Sequence, residues 1–304
     1  MHDALLVVAG LGVGVVVGLT GMGGGALMTP LLVLFFGVPP LAAVSSDLVA
    51  SLVMKPVGGL VHLRRGTVDR RLVGWLCLGS VPCAFGGVLL ARAFGTGESV
   101  QRVVSTALGV ALLLAVVGLS ARAFVAVRED ALGGAVPQAA APLRVRPVPT
   151  VLVGAVGGLI VGLTSVGSGS LIIVALLALY PVLSARDLVG TDLVQAVPLV
   201  AAASLAHLLF GDFRLTLTAF LLVGALPGVY LGARLSSRAP SAVVRRALGL
   251  VLLASGLKML GVGNVALLAA VAVGVLVCVP GWRVLRPRLH ARVAAATASD
   301  RRTE

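Results

Sequence analysis

Charge is what this chain has least of. Only 12% of its 304 residues are Asp, Glu, Lys or Arg, against 59% hydrophobic, and the mean hydropathy is +1.10. That balance excludes an ordinary soluble domain. Aromatic residues are scarce at 4%. Lysine is nearly missing: Lys55 and Lys258 are the only two, and every other basic side chain apart from the histidines is arginine. Cys77, Cys83 and Cys278 all lie in apolar stretches, with no CxxC spacing and no neighbouring histidine. They read as inert core thiols, and neither a metal site nor a cofactor is expected. The phosphate-binding pattern GxxxxGK[ST] is absent, so bound ATP is not the expected driving force. GxSxG and HExxH are absent as well, which weighs against an intramembrane hydrolase built on Ser168 and His207. Met1-His2-Asp3 has no basic n-region, so no cleaved signal peptide is expected.

What the chain does have is long apolar runs. Residues 72–91, 103–121, 188–210, 215–233 and 265–282 each satisfy the length and composition of a membrane span. The fold class expected is therefore all-α, a polytopic helical membrane protein. The net charge of +13 comes from arginines gathered in short loops and in the C-terminal tail. Cytoplasmic loop topology and contact with membrane lipid explain that distribution, and no nucleic-acid partner is implied.

Glycine interrupts the first apolar run, residues 4–36. Gly18-Leu19-Thr20-Gly21-Met22-Gly23-Gly24-Gly25 places four glycines in five residues, each costing roughly 1 kcal/mol in a helix relative to Ala. Unbroken, the run would be roughly 50 Å long against a hydrocarbon core of ~30 Å. The expectation is a break, with helices over 4–19 and 26–36. Gly10, Gly14 and Gly18, spaced by four, leave a flat strip on which another helix can pack closely.

The pattern then recurs. Gly154, Gly158, Gly162, Leu163, Thr164, Gly167, Gly169 and Leu171 match Gly10, Gly14, Gly18, Leu19, Thr20, Gly23, Gly25 and Leu27 at an offset of 144. Asp192, His207, Pro227 and Gly232 match Asp47, His62, Pro82 and Gly87 at an offset of 145. This is an internal duplication. The division expected is a first membrane repeat over 4–121, a cytoplasmic linker over 122–150 and a second repeat over 151–260. An extra transmembrane helix over 265–282 and a basic cytoplasmic tail over 283–304 follow. If each broken segment crosses the membrane, the basic loop 64–71 falls opposite the basic tail, against the positive-inside rule. If each is a re-entrant hairpin followed by three crossings, the basic segments all fall on one side. The second arrangement is preferred: inverted repeats in a bacterial inner membrane, N-terminus outside and C-terminus cytoplasmic.

In that arrangement the two hairpin tips meet near mid-membrane, and the helices starting near Ala26 and Ser170 offer N–H groups and positive dipole ends to an anion. Thr20, Gly21, Gly23, Gly24 and Gly25 form one candidate half-site. Thr164, Ser165, Gly167, Ser168, Gly169 and Ser170 form the other. The alternative is that the glycines only allow tight packing. Asp47 and Asp192, matched in the two repeats, read either as helix caps or dipole partners, or as proton or cation coupling sites or groups that orient the tip hydroxyls. Lys55 is a cation inside a span, where a charge normally faces a pathway or a partner. It stands eight residues past Asp47, about 80° around the helix, so an anionic substrate or Asp192 is the better partner. Snorkelling to the inner surface is the alternative. His62 and His207 lie at span ends, as gating groups or polar caps. Oligomeric state is not legible, though the glycine strips leave a homodimer open.

At these residues the chain resembles the sulfite exporter TauE/SafE family of membrane transporters. The resemblance covers nearly all of 11–260. It rests on the Gly18–Gly25 stretch, Ser46-Asp47-Leu48 with Lys55, and His62-Leu63-Arg64-Arg65-Gly66-Thr67-Val68-Asp69. In the second half it rests on Gly190-Thr191-Asp192-Leu193 with Pro198, and on Gly167-Ser168-Gly169-Ser170. It implies efflux of small anions: sulfite, organosulfonates such as sulfoacetate, and other sulfur oxyanions. Ser45-Ser46 in place of the second half's Gly190-Thr191, and the tail beyond Val265, depart from the pattern. The function expected is secondary transport of a small sulfur-containing anion by alternating access, coupled to an ion, the proton being the expected one. The other readings are a permease for a different small anion and a non-transporting membrane scaffold.

Overall fold

The structure is a computed structural model that describes residues 2–20, 24–64, 66, 68–94, 97–131, 145–181, 183, 185–235 and 241–276. The first half contains α1 (His2–Thr20), α2 (Gly25–Phe36), α3 (Pro40–Arg64), α4 (Arg70–Ala93) and α5 (Glu98–Ala131). The second contains α6 (Pro147–Thr164), α7 (Leu171–Leu179), α8 (Ala185–Phe210), α9 (Leu215–Leu235) and α10 (Ser241–Met259). A further apolar helix, α11, covers Asn264–Leu276. Five stretches are long and apolar enough to cross a membrane: Arg70–Ala93, Glu98–Ala121, Pro147–Thr164, Asp187–Phe210 and Leu215–Gly232. The chain is a polytopic helical membrane protein.

Both glycine-rich stretches interrupt their helices. The first break separates Thr20 from Gly25 and the second separates Thr164 from Leu171. Two helix boundaries differ from the sequence expectation. α5 continues to Ala131, because Ala, Arg and Glu in that stretch are good helix formers and neither Gly nor Pro interrupts it. α6 begins at Pro147, where the missing N–H of proline costs nothing in the first turn. The Asp69 carboxylate caps α4 by accepting from the amides of Arg71 (2.9 Å) and Leu72 (3.0 Å), which fixes the chain after the basic turn. Residues 277–304, which hold the end of the expected extra transmembrane helix and the basic tail, and residues 132–144 of the linker lie outside the described residues.

The first helix of each half packs on the other half. Gly154, Gly158 and Gly162 of α6 lie on the backbone of Leu76, Ser80 and Ala84 of α4, so close that a Cβ at any of them would overlap a carbonyl oxygen. Gly10 and Gly14 of α1 meet Leu221 and Ala225 of α9 in the same way. The glycines spaced by four thus allow close backbone approach, as read from sequence. Both pairs run parallel, since residue numbers rise together along each contact.

α3 and α8 run antiparallel at the centre: Ser45 meets His207, and Gly59 meets Val194 and Val197. α4 runs with α8, the Asp69 amide lying near Thr191 and Arg92 reaching the Phe210 carbonyl. Hence α6, α4 and α8 all point one way, and the chain between α6 and α8 must double back through α7. Tyr180, just past α7, returns to the start of α6, where its hydroxyl lies 2.5 Å from Thr150 Oγ1 and accepts from the Arg146 amide at 2.9 Å. In the first half α2 doubles back against α3 through the left-handed turn at Gly37 (φ 62°).

Candidate functional site

The second break is held by its own backbone. Ser165 ends α6 with φ 60°, the only non-glycine in the left-handed region among the described residues, and its amide donates to Val161 at 2.7 Å. Gly167 (φ 132°) and Gly169 (φ 93°) supply conformations that side-chain-bearing residues avoid. The Gly167 carbonyl then accepts the amides of Ser170 (3.3 Å), Leu171 (3.0 Å) and Ile172 (3.4 Å). The N-terminal amides of α7, read from sequence as open donors, are therefore turned onto Gly167. The Thr164 hydroxyl is likewise engaged, donating back to Ile160 at 2.6 Å.

The two breaks touch. Gly25, the first residue of α2, lies against Ser165: a Cβ on Gly25 would overlap the Ser165 carbonyl oxygen and stand 2.8 Å from its hydroxyl. Asp47 of α3 ties three segments together there, Oδ2 accepting Thr29 Oγ1 of α2 and Ser165 Oγ of the second break, both at 2.7 Å. Asp47 is fully buried and is the eighth residue of α3, so it is no helix cap. Further along α3, the Lys55 ammonium donates to Ser168 Oγ. Lys55 is 6% exposed, which places it inside the bundle and not snorkelled to an edge. The charges of both Asp192 and Asp47 act on it.

Other predicted residues fall outside this cluster. Asp192 belongs to a second polar group between α8 and α4: Gln195 Nε2 donates to its Oδ1 at 3.3 Å, and Ser80 Oγ donates to Gln195 Oε1 at 3.2 Å. His207 is buried near the far end of α8, where Nε2 donates to the Gly162 carbonyl at 2.8 Å and Nδ1 lies 2.8 Å from Ser45 Oγ. Ser168 and His207 thus have separate partners, Lys55 for one and Ser45 with Gly162 for the other, and do not pair with each other. His62 is half-buried near the end of α3, and Ser170 is buried without a side-chain capping bond. Gly24 precedes α2 and is buried. Gly21, Gly23 and the side chain of Thr20 lie outside the described residues. No group of three His, Cys, Asp or Glu residues comes together among the described residues.

Sequence reasoning missed Thr29, Ser80 and Gln195. Thr29 and Gln195 carried a faint signal, as single polar residues within apolar helices one turn past a break or an aspartate. Ser80 carried none, because it acts only through a different helix.

A polytopic helical bundle with two broken helices meeting beside a buried lysine and a buried carboxylate has the construction of a membrane transporter, not of an enzyme. Residues 6–259 match the family Sulfite exporter TauE/SafE, and the chain belongs to that family. It is 37% identical over 256 residues to "Probable membrane transporter protein YjnA" of Bacillus subtilis (strain 168), covering 84% of this chain and 98% of the relative. It is 26% identical over 251 residues to "Probable membrane transporter protein YdhB" of the same organism, covering 81% and 96%. No solved structure gives a significant match.

Proposed function

We propose that the protein is a secondary transporter that exports a small sulfur-containing anion, sulfite or an organosulfonate, by alternating access around the two breaks. The observation that carries this reading is the contact of the two breaks, Gly25 on Ser165, beside Lys55, the one buried lysine or arginine among the described residues. In a low-dielectric interior that ammonium attracts an anion far more strongly than in water. Ser168, already on Lys55, supplies a hydroxyl donor at the same place. Family membership supports a sulfur oxyanion as the solute.

The halves are read as inverted repeats, with each break the tip of a re-entrant hairpin. The antiparallel course of α3 and α8, which are equivalent helices of the two halves, supports this. Arg64, Arg70, Arg71, Arg146 and Arg234 then gather at one end of the bundle. Asp212 and Arg214, paired at 3.5 Å, lie at the other. The positive-inside rule makes the arginine end cytoplasmic, and with it the C-terminus. A reporter fused after Arg71 is expected to read cytoplasmic; a periplasmic reading overturns the topology.

The transport reading is tested in proteoliposomes with sulfite, sulfoacetate, thiosulfate and sulfate offered in turn. Saturable flux of at least one sulfur oxyanion, absent from protein-free vesicles, is expected. Flux of none of them, from protein that stays folded, removes the substrate assignment.

A further inference from the structure

α3 stands between two apolar cores. Met28 of α2, Ala50 of α3 and Leu221 of α9 belong to one, with Leu6 from α1. Leu76 of α4, Val161 of α6 and Leu199 of α8 belong to the other. Leu41 and Leu48 of α3 join that second core, and at about 100° per residue they lie on the opposite side of the helix from Ala43 and Ala50. An anion at Lys55 therefore sits on a seam, with α3 on one side and the second break on the other. It leaves where that seam parts.

Toward the end that holds Asp212 and Arg214 the seam is pinned. Ser45 Oγ pairs with His207 Nδ1 at 2.8 Å, and His207 Nε2 donates to the Gly162 carbonyl at 2.8 Å. That carbonyl is one of the last four of α6, which the helix itself leaves open. His207 thus ties α3 to the helix that carries the second break. Ser45 is 0% and His207 is 1% exposed. Ser45 precedes Lys55 by ten residues, about 15 Å along α3. The turn after α8 covers the pair: a Cβ on Gly211 would stand 2.8 Å from Ser45 Oγ and 2.9 Å from His207 Nδ1. Arg92 of α4 holds the same turn, donating to the carbonyls of Phe210 and, at 3.4 Å, Gly211.

This pairing belongs to one end only. α3 and α8 are repeat-matched and antiparallel, so the mates of Ser45 and His207, at an offset of 145, are Gly190 and His62 at the arginine end. Glycine has no hydroxyl, and the serine–histidine bond cannot recur there. Thr191, beside Gly190, accepts the Asp69 amide at 3.2 Å, but Asp69 caps α4, which lies on the same side of the seam as α8.

We propose that the Ser45–His207–Gly162 chain is the outer gate of the anion pathway. It must part for the solute to leave Lys55 toward the periplasm, and because His207 also holds α6, opening it frees the second break to move. The gate rests on the transport reading and its topology.

The test uses full-length protein in which Cys77, Cys83 and Cys278 are replaced by alanine and Ser51→Cys supplies the only thiol. Ser51 is buried one turn before Lys55 on the same face of α3, inward of Ser45. A sulfonate-bearing methanethiosulfonate reagent, which does not cross the membrane, is offered to right-side-out and to inside-out vesicles, and the labelling rates are compared. Ser45→Ala should raise the rate from the outer face about fivefold, the factor carried by one ordinary hydrogen bond, and leave the cytoplasmic rate nearly unchanged. His207→Gln, which keeps an amide donor for Gly162 and removes the ring nitrogen facing Ser45, should do the same, and it decides if Ser45→Ala fails to fold. Ser204→Ala removes a buried hydroxyl of α8 that has no hydrogen-bond partner among the described residues, and should change neither rate. Outer-face labelling that does not rise, or that rises equally from both faces as general loosening would produce, overturns the gate. Selective opening of the cytoplasmic face instead keeps the gate and overturns the topology. Selective outer opening with no flux of any tested anion keeps the gate and counts against the transport reading.

Discussion

Lys55→Ala should abolish anion flux, by about 100-fold or more, in protein that still folds and inserts. Lys55 is the only lysine or arginine buried among the described residues, and it holds Ser168 of the opposite half. Losing a charge-assisted contact to a desolvated anion costs about 2–5 kcal/mol, which is tenfold for every ~1.4 kcal/mol. The empty volume left by the side chain is small beside the change in charge. Without Lys55, the buried lysines and arginines among the described residues are gone while Asp47 and Asp192 remain buried, so the site loses its attraction for an anion. A lower unfolding temperature is expected as well, because removing one partner from a buried charge group leaves its carboxylates uncompensated. Flux assays paired with thermal unfolding in detergent separate the two effects. Wild-type flux in Lys55→Ala removes this residue from the binding site.

Gly25→Ala should be nearly as damaging, for a steric reason. The new methyl overlaps the Ser165 carbonyl oxygen, which is backbone and cannot swing aside as a flexible side chain would. Either the first turn of α2 retreats or the second break shifts, and both outcomes pull Ser165 Oγ from Asp47 Oδ2. Overpacking of this kind costs typically 1–3 kcal/mol, so a lower unfolding temperature is expected together with lost flux. Gly12→Ala in α1 and Gly74→Ala in α4 are the controls. A Cβ at either position meets nothing within 4 Å, and alanine is the better helix former, so neither should destabilise the protein. If Gly25→Ala behaves like these two, the contact between the breaks does not matter for transport.

Much of this was legible beforehand, and the exceptions have a common cause. Both breaks follow from contiguous glycine, because local backbone cost alone forbids a stable helix there. The close pairing of α6 on α4 follows from glycines spaced by four. Which helix would fill that strip did not follow, since a flat surface accepts many partners. Asp47 and Asp192 match each other in the repeat yet have different surroundings: hydroxyls from α2 and the second break surround one, and an amide from its own helix holds the other. The amides at the start of α7 looked available from sequence, but the Gly167 carbonyl takes them because two positive-φ glycines fold the chain back onto them.

Sequence by itself determined what is local or additive: which stretches are apolar enough to sit in lipid, where the helices must stop, and that one half repeats the other. Hydropathy and backbone strain are properties of neighbouring residues, so they can be read in a line. Only the tertiary structure decided who meets whom. Lys55 and Ser168 are 113 residues apart and Asp47 and Ser165 are 118 apart. Their encounter depends on α3 and α8 crossing the bundle in opposite directions while α6 lies along α4. Those directions are set by the packing of whole helices, and no short stretch of residues encodes them.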